Sequence, residues 1–221
     1  MNSFVKNIFN SINDDKIINK SFEDLKITGT NPWTLSIELN WKDIGRIRIT
    51  PFDLSDFWAL KDWWNESLSN NSKNFFPLLP DNKTLERAIA NHFKNHQNHR
   101  DIAFNIWLLK EGEINIDFDN EIIAHFFLEY FDTHPDIALG IADKYQAKGL
   151  GKLILLLIIY LTKFMDKKKI YLSVDKDNLI GFELYKKIGF KKIGEREITI
   201  PITEYKNIVY DMEKDLEDAV F

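Results

Sequence analysis

The heptapeptide QAKGLGK at residues 146–152 has the residue types that bind an anion. The pattern predicts a short strand at 137–142 and a buried helix at 149–164, so the heptapeptide lies at a strand-to-helix turn. Backbone N–H groups at a helix N-terminus have no intrahelical partner and point towards whatever lies there. The two glycines allow a phosphate to approach the backbone closely, and the two lysines add positive charge. We therefore predict a phosphate-binding loop at this turn.

Two common phosphate-binding motifs do not fit this segment. A dinucleotide fingerprint requires a third glycine where Ile154 stands. A P-loop requires a glycine at the position of Gln146, and a serine or threonine where Leu153 follows Lys152. On this segment alone, a plain strand-to-helix turn that uses glycine for its geometry is the alternative.

Residues further along the chain complete a recognisable pattern. Asn178 follows the predicted strand 170–174, and residues 184–190 read LYKKIGF. Together with Q-x-x-G-x-G at 146–151, these residues resemble the GNAT N-acetyltransferase superfamily, whose acyl-CoA pyrophosphate loop has the pattern Q/R-x-x-G-x-G/A. Specific motifs carry the resemblance over residues 137–191, and the order of elements alone carries it over 46–215. It does not extend to residues 1–44.

This resemblance implies acetyl-CoA (coenzyme A) as the co-substrate and no metal. The backbone of 139–141 would pair with the pantetheine arm as an added strand pairs with a sheet edge. Backbone amides of 147–151 would hold the pyrophosphate, and Asn178 would contact the cofactor near the pantetheine. The cofactor-binding residues implied in this way are Leu139, Ile141, Gln146, Ala147, Lys148, Gly149, Leu150, Gly151, Lys152 and Asn178.

Acyl transfer to an amine also requires proton transfers. The resemblance places Tyr185 near the thioester sulfur, and a tyrosine hydroxyl can donate a proton to the departing thiolate. An alkyl ammonium has a pKa of about 10.4 and must be deprotonated before it attacks. His125 and Glu129 share one face of the predicted strand 121–131 and are candidate bases. The alternatives are ordinary structural positions for both residues, or a water chain in place of a dedicated base. The oxyanion would accept from an N–H of Ile141 or Ala142.

Composition excludes several classes of site. None of the 221 residues is cysteine, which excludes disulfide scaffolds, cysteine nucleophiles, zinc–thiolate sites and iron–sulfur clusters. His92 and His96 share a face of a predicted helix, but no third ligand is evident, so we predict no metal. A net charge of -5 disfavours nucleic acid as a partner and favours a cationic one.

The chain also lacks the features of a membrane or exported protein. Its N-terminus has no long apolar segment typical of a signal peptide. The longest apolar run, Leu153–Leu161, has nine residues, whereas a membrane-spanning helix needs about 20. We expect a cytoplasmic protein with no membrane partner. The sequence leaves open whether the protein forms a homodimer.

The order of predicted elements indicates an α/β (α+β) fold. We expect a GNAT-like mixed, mostly antiparallel central sheet with helices on both faces. Residues 1–44 are predicted to be an N-terminal arm that packs on a main domain at 45–221, and residues 69–73 to be a loop. The favoured function is direct transfer of acetyl to a primary amine, which could be a small amine, an amino sugar or a peptide amine. The alternative is a non-catalytic module that binds acyl-CoA as a sensor or for interaction.

Overall fold

The computed structural model describes residues 3–16, 18, 20–76, 82–110, 120–129, 133–200 and 205–217. Within these ranges, nine strands form a single sheet. The strands are β1 (Phe22–Thr28), β2 (Ser36–Trp41), β3 (Gly45–Pro51), β4 (Ile102–Leu108), β5 (Glu121–Glu129), β6 (Asp136–Ile141), β7 (Lys169–Asp175), β8 (Lys191–Ile200) and β9 (Tyr205–Asp215). Their order across the sheet is β1-β2-β3-β4-β5-β6-β7-β9-β8.

Helices cover both faces of this sheet, which confirms the predicted fold class. The helices are α1 (Ser3–Asp14), α2 (Phe57–Glu66), α3 (Asn70–Phe75), α4 (Asn82–Gln97), α5 (Leu150–Phe164) and α6 (Leu179–Ile188). On one face α5 packs against both α1 and α6. On the other face α2 packs against α4 and β5, and its Trp63 lies beside His125 and Gly140.

The join between β6 and β7 differs from every other pair of neighbouring strands. The other described pairs are antiparallel, whereas β6 and β7 are parallel and connected by α5. They are in register at a single pair, Asp136 with Tyr171. Beyond that pair the two strands separate, so their facing backbone groups border an opening in the sheet. Backbone N–H and C=O groups on such an edge are available to a ligand.

The core is densest around α5. Ten of its fifteen residues are buried, because the sheet covers one side and α1 covers another. Phe4, Val5, Ile8 and Ile12 form the buried face of α1. The Tyr160 hydroxyl donates to the Phe4 carbonyl at 3.3 Å, which fixes α1 along α5. The prediction that the helix α5 is buried is confirmed.

Two local predictions were wrong or incomplete. Residues 70–75 form the helix α3 rather than a loop, because the Ser69 hydroxyl caps its first turn by accepting from the Ser72 N–H at 3.3 Å. Strand β1 was not predicted at all. A bulge between Glu23 and Lys26, with Asp24 in the left-handed region at φ 56°, interrupts the alternation that identifies a strand. The N-terminal residues thus add α1, β1 and β2 to the molecule.

Three buried polar side chains under α2, those of Asp56, Asn105 and His125, are linked by hydrogen bonds. We expect this buried network to contribute strongly to stability. The Asn105 amide nitrogen donates to Asp56 Oδ2 at 2.8 Å, so its oxygen faces His125 Nδ1, also at 2.8 Å. Asn105→Ala removes a partner from each of these buried groups, and we expect it to lower the free energy of unfolding by about 2–3 kcal/mol in urea titrations.

Asn40→Ala is the matched control. Asn40 also donates its amide to a carboxylate, Asp24 Oδ2 at 2.7 Å, but at an exposed position. We expect this variant to change the free energy of unfolding by less than about 0.5 kcal/mol. If the two variants lose equal free energy of unfolding, burial of the Asn105 hydrogen bonds adds nothing to stability.

Candidate functional site

A cleft of about 810 Å³ follows the opening between β6 and β7. Eight of the ten residues predicted to bind cofactor line it, and so does Tyr185. The other two, Lys148 and Leu150, lie in the same loop but outside the lining: Leu150 is buried, and Lys148 Nζ donates to the Asp43 carbonyl at 3.1 Å. The predicted residues in the lining are Leu139, Ile141, Gln146, Ala147, Gly149, Gly151, Lys152 and Asn178.

The two glycines of the loop are needed for different reasons. Gly149 has φ 85°, in the left-handed region, and directly precedes the first residue of α5. Gly151 lies inside the first turn of α5, where an added Cβ would lie 2.9 Å from the Leu184 side chain. Gly149 therefore shapes the turn, and Gly151 lets α6 approach α5. Both glycines line the cleft, so the N-terminal end of α5 borders it.

Gln146 fastens the start of the loop to the rest of the site. Its Nε2 donates to the Ile141 carbonyl at 3.0 Å and to Asp143 Oδ1 at 3.2 Å. Asp143 also accepts from the Ser72 hydroxyl at 2.6 Å and from the Ser69 N–H at 3.1 Å. Partial burial opposes ionisation, but the hydrogen bonds from Ser72 and Ser69 hold the pKa of Asp143 below its usual value. The ionised carboxylate ties α3 to the loop.

Asn178 begins α6 on the opposite wall of the cleft. Its side-chain oxygen accepts from the Gly181 N–H at 2.9 Å, which caps the helix. Leu179 and Ile180 follow, and their side chains are 68% and 80% exposed at the rim of the cleft. The cap orients the first turn of α6 and places two apolar side chains beside the opening.

Tyr185 lies on α6, further along the same wall. Its ring packs edge-on against Phe190, with centroids 6.0 Å apart. Burial raises the pKa of Tyr185 to about 12. The hydroxyl therefore carries its proton at neutral pH and can act as a donor in the cleft.

The two predicted bases lie on the other face of the sheet. His125 is fully buried, beside Trp63 and Phe76, while Glu129 is partly exposed at the end of β5. The α2 face of the sheet holds both residues, since residues 125 and 129 are four apart on one strand and Trp63 belongs to α2. The structure thus groups Tyr185 with the glycine loop in the lining of the cleft, whereas Glu129 and His125 are not part of that lining.

Glu129 has the protonation behaviour of a base that works near neutral pH. Burial, and next the charges of Asp101 and Asp136, raise the pKa of Glu129 to about 7. Asp136 is its cross-strand partner, and burial raises the pKa of Asp136 as well. A carboxyl group with a pKa near the working pH both accepts and releases protons readily. This face therefore combines negative charge with a titratable group at the start of the opening.

Sequence reasoning missed the contacts that join distant parts of the chain. Ser72 and Asp143, 71 positions apart, meet at the loop, and no local pattern indicates their hydrogen bond. Phe75 and the buried Phe76 both line the cleft, whereas Trp63 and Trp64 are buried in the core away from the lining. Among the described residues, no helix is long and apolar enough to cross a membrane, and no three acidic or histidine side chains form a group that could hold a metal ion.

Comparison with known proteins gives one family. The family model described as Acetyltransferase (GNAT) family matches residues 75–190. A stretch of 56 residues is 43% identical to the spermine/spermidine N(1)-acetyltransferase of Bacillus subtilis strain 168. That match covers 25% of this chain and 37% of the Bacillus protein, so it spans about a third of that relative.

Solved structures share the fold at low sequence identity. The ribosomal-protein-S5-alanine acetyltransferase of Vibrio fischeri has a TM-score of 0.62 at 12% identity, over 78% of this chain and 94% of its own. The spermidine N-acetyltransferase of Vibrio cholerae, in complex with CoA and spermine, has a TM-score of 0.62 at 16% identity, over 77% of this chain and 96% of its own.

The geometry of Gly149 gives a test of the loop. Gly149→Ala forces a side chain into a left-handed conformation, and its Cβ would lie 3.2 Å from the Trp41 ring. We expect a loss of about 1–2 kcal/mol in the free energy of unfolding and at least a tenfold weaker affinity for CoA in calorimetry, because the loop must shift.

Gly189→Ala is the control for backbone strain. Gly189 has φ 99° at the C-terminal end of α6, where an added Cβ would meet only the mobile end of Lys214. We expect a similar loss of stability with unchanged CoA affinity. If the two variants lose CoA affinity equally, the glycine loop has no special part in binding.

Proposed function

The chain belongs to the GNAT acetyltransferase family, and on that premise we propose that it transfers acetyl from acetyl-CoA directly to a primary amine. The observation that carries this proposal is the cleft itself, in which a protonated Tyr185 lies on one wall and a glycine-shaped helix N-terminus closes one end. A family activity alone would not identify these residues.

The cleft offers complementary surfaces to the parts of acetyl-CoA. The N-terminal amides of α5, with Lys152 nearby in the lining, are suited to the pyrophosphate. The edge of β6 at 139–141 that borders the opening can pair with the amide groups of the pantetheine arm. Exposed Leu179 and Ile180 then lie at the rim, where an apolar part of the ligand would cover them. Each assignment uses a different property of the described residues.

In the proposed reaction, each face of the sheet supplies one residue for a proton transfer. Glu129 takes a proton from the acceptor ammonium, and the neutral nitrogen attacks the thioester carbonyl carbon. The carbon–sulfur bond then breaks, and the CoA thiolate takes a proton from Tyr185. The nitrogen gives up its second proton to solvent to leave the neutral amide, and Tyr185 and Glu129 return to their starting protonation states by exchange with solvent. The opening between β6 and β7 joins these two sides, so the acceptor and donor need not enter by the same route. His125 stays the second candidate for the base.

A polyamine is our first candidate for the acceptor. Glu129, Asp136 and Asp101 give the α2 face of the sheet negative charge near the opening, which suits a small polycation better than a neutral sugar. The Bacillus relative and the Vibrio cholerae structure are both named for polyamine acetylation. Amino sugars and peptide amines are the other acceptors to be compared.

Tyr185→Phe tests the proposed acid. Loss of the hydroxyl should lower kcat by about 10²–10³-fold, since general acid catalysis contributes in that range. CoA affinity should stay within twofold, measured by calorimetry. Tyr160→Phe is the control, because that hydroxyl donates to the Phe4 carbonyl in the core and lies far from the cleft. Unchanged turnover in Tyr185→Phe would overturn the assignment.

Glu129→Gln tests the proposed base through pH dependence. The carboxylate is the active form, so kcat/KM of the wild type should rise as pH increases through about 7, the raised pKa of Glu129. Glu129→Gln should be slower and should lack this rise, measured by thiol release against pH. A rise that persists in Glu129→Gln and disappears in His125→Gln would assign the base to His125 instead.

A panel of acceptors tests the substrate class. Spermidine, glucosamine and a short peptide with a free N-terminus are compared by CoA release and by the added mass of one acetyl group. We expect the highest kcat/KM with spermidine. Binding of acetyl-CoA with no transfer to any of the three would support the alternative, a non-catalytic acyl-CoA-binding module.

A further inference from the structure

A tryptophan from the N-terminal part of the chain holds the cofactor loop. The Trp41 indole N–H donates to the Lys148 carbonyl at 2.8 Å, and the ring is 2% exposed. Trp41 ends β2, at a position that precedes the family match at 75–190. The contact joins residues 107 positions apart, so the loop depends on a part of the chain outside the matched domain.

This hydrogen bond fixes the orientation of one peptide plane. In a trans peptide the C=O and the following N–H point in opposite directions. Since the Lys148 carbonyl points at Trp41, the Gly149 N–H points away from it. Gly149 lines the cleft, so that N–H belongs to the set of amides at the start of α5 that can meet a phosphate. A rotated peptide would instead present a carbonyl oxygen, which repels an anion.

The residues around this peptide make rotation easy without a restraint. Ala147 and Gly149 both have positive φ, at 58° and 85°, so the loop passes through two left-handed residues on either side of Lys148. Glycine adopts positive and negative φ about equally well, so the Lys148–Gly149 peptide has little intrinsic preference for one orientation. An external donor to the Lys148 carbonyl therefore stabilises the orientation with the Gly149 N–H turned away from Trp41.

Two further contacts from the same part of the chain hold the loop lysines. Lys148 Nζ donates to the Asp43 carbonyl at 3.1 Å. Lys152 Nζ forms an ion pair with Asp15 at 2.9 Å, with both side chains mostly buried. These contacts surround the Trp41 hydrogen bond and keep the N-terminal part of the chain against the loop.

We propose that Trp41 is a positioning residue that holds the Lys148–Gly149 peptide with its N–H towards the CoA pyrophosphate. This inference rests on the proposed use of acetyl-CoA and adds a residue to that site. Trp41 touches the loop and not the reacting atoms. Its loss should therefore affect cofactor affinity and leave the chemical step alone.

Trp41→Phe keeps a ring and removes the N–H donor. We expect the Kd and KM for acetyl-CoA to rise about tenfold, the typical effect of losing one hydrogen bond to a charged group, while kcat stays within twofold. S-acetylpantetheine, which has no pyrophosphate, serves as the second acyl donor. Its kcat/KM should not change, because the affected amide has nothing to bind there.

Trp107→Phe is the matched control. The Trp107 indole on β4 donates to the Thr50 hydroxyl at 3.2 Å, so this variant also removes an indole hydrogen bond in the sheet, away from the loop. Both acyl donors should keep their wild-type kinetics. Replacement of Trp41 by benzothienylalanine, which has the shape of tryptophan but no N–H, repeats the test if the phenylalanine variant folds poorly.

Each outcome of these binding and kinetic experiments supports or overturns one specific claim. A wild-type protein that does not bind acetyl-CoA would overturn the proposed function itself. If the wild type binds and the Trp41 variants behave like Trp107→Phe, the positioning role is wrong. Equal losses with acetyl-CoA and S-acetylpantetheine would also overturn it, since they would indicate general damage to the cleft. A loss confined to acetyl-CoA is the result we expect.

Discussion

The separation of β6 and β7 after one paired position is the constraint on which the rest of the structure depends. A central sheet cannot leave the backbone groups of two interior strands without partners unless solvent or a ligand meets them. The parallel direction of the two strands requires the crossover through α5, and this crossover brings a helix N-terminus to the wide end of the opening. α6 then closes the other wall. The cleft, the exposed start of α5 and the position of Tyr185 thus follow from one break in the sheet.

The same break keeps unlike electrostatic environments apart. Tyr185 lies on the α6 side, where an apolar setting keeps its hydroxyl protonated. Glu129 lies on the α2 side, where burial, and next the neighbouring carboxylates, raise its pKa to about 7. Side by side, the tyrosine hydroxyl would donate a hydrogen bond to the carboxylate and lower the pKa of Glu129. Placed on two faces of one sheet, each group keeps its own pKa.

Local geometry was readable from the sequence, and long-range contacts were not. The turn at 146–152 depends on residues adjacent in the chain, so the glycine spacing predicted it, whereas the cap that Asn178 forms on α6 was not predicted. Strand β1 was missed because a bulge at Asp24 breaks its alternation, and α3 was missed because its asparagines and serines are poor helix formers. The Trp41 and Ser72 hydrogen bonds connect segments whose separation no periodicity encodes. The roles of Glu129, His125 and Tyr185 stay predictions, to be tested by kinetics.

The hydrogen bond from Trp41 has a consequence for the order in which the parts of this protein fold. The N-terminal hairpin of β2 and β3 is synthesised early, and its contacts are local. It can therefore form while the ribosome is still adding later segments. The loop emerges 107 positions later, and its carbonyl then meets an indole already in place. The strand β9, which pairs with β7, follows the loop in the chain. The hairpin that carries the indole is therefore synthesised before the loop that it contacts.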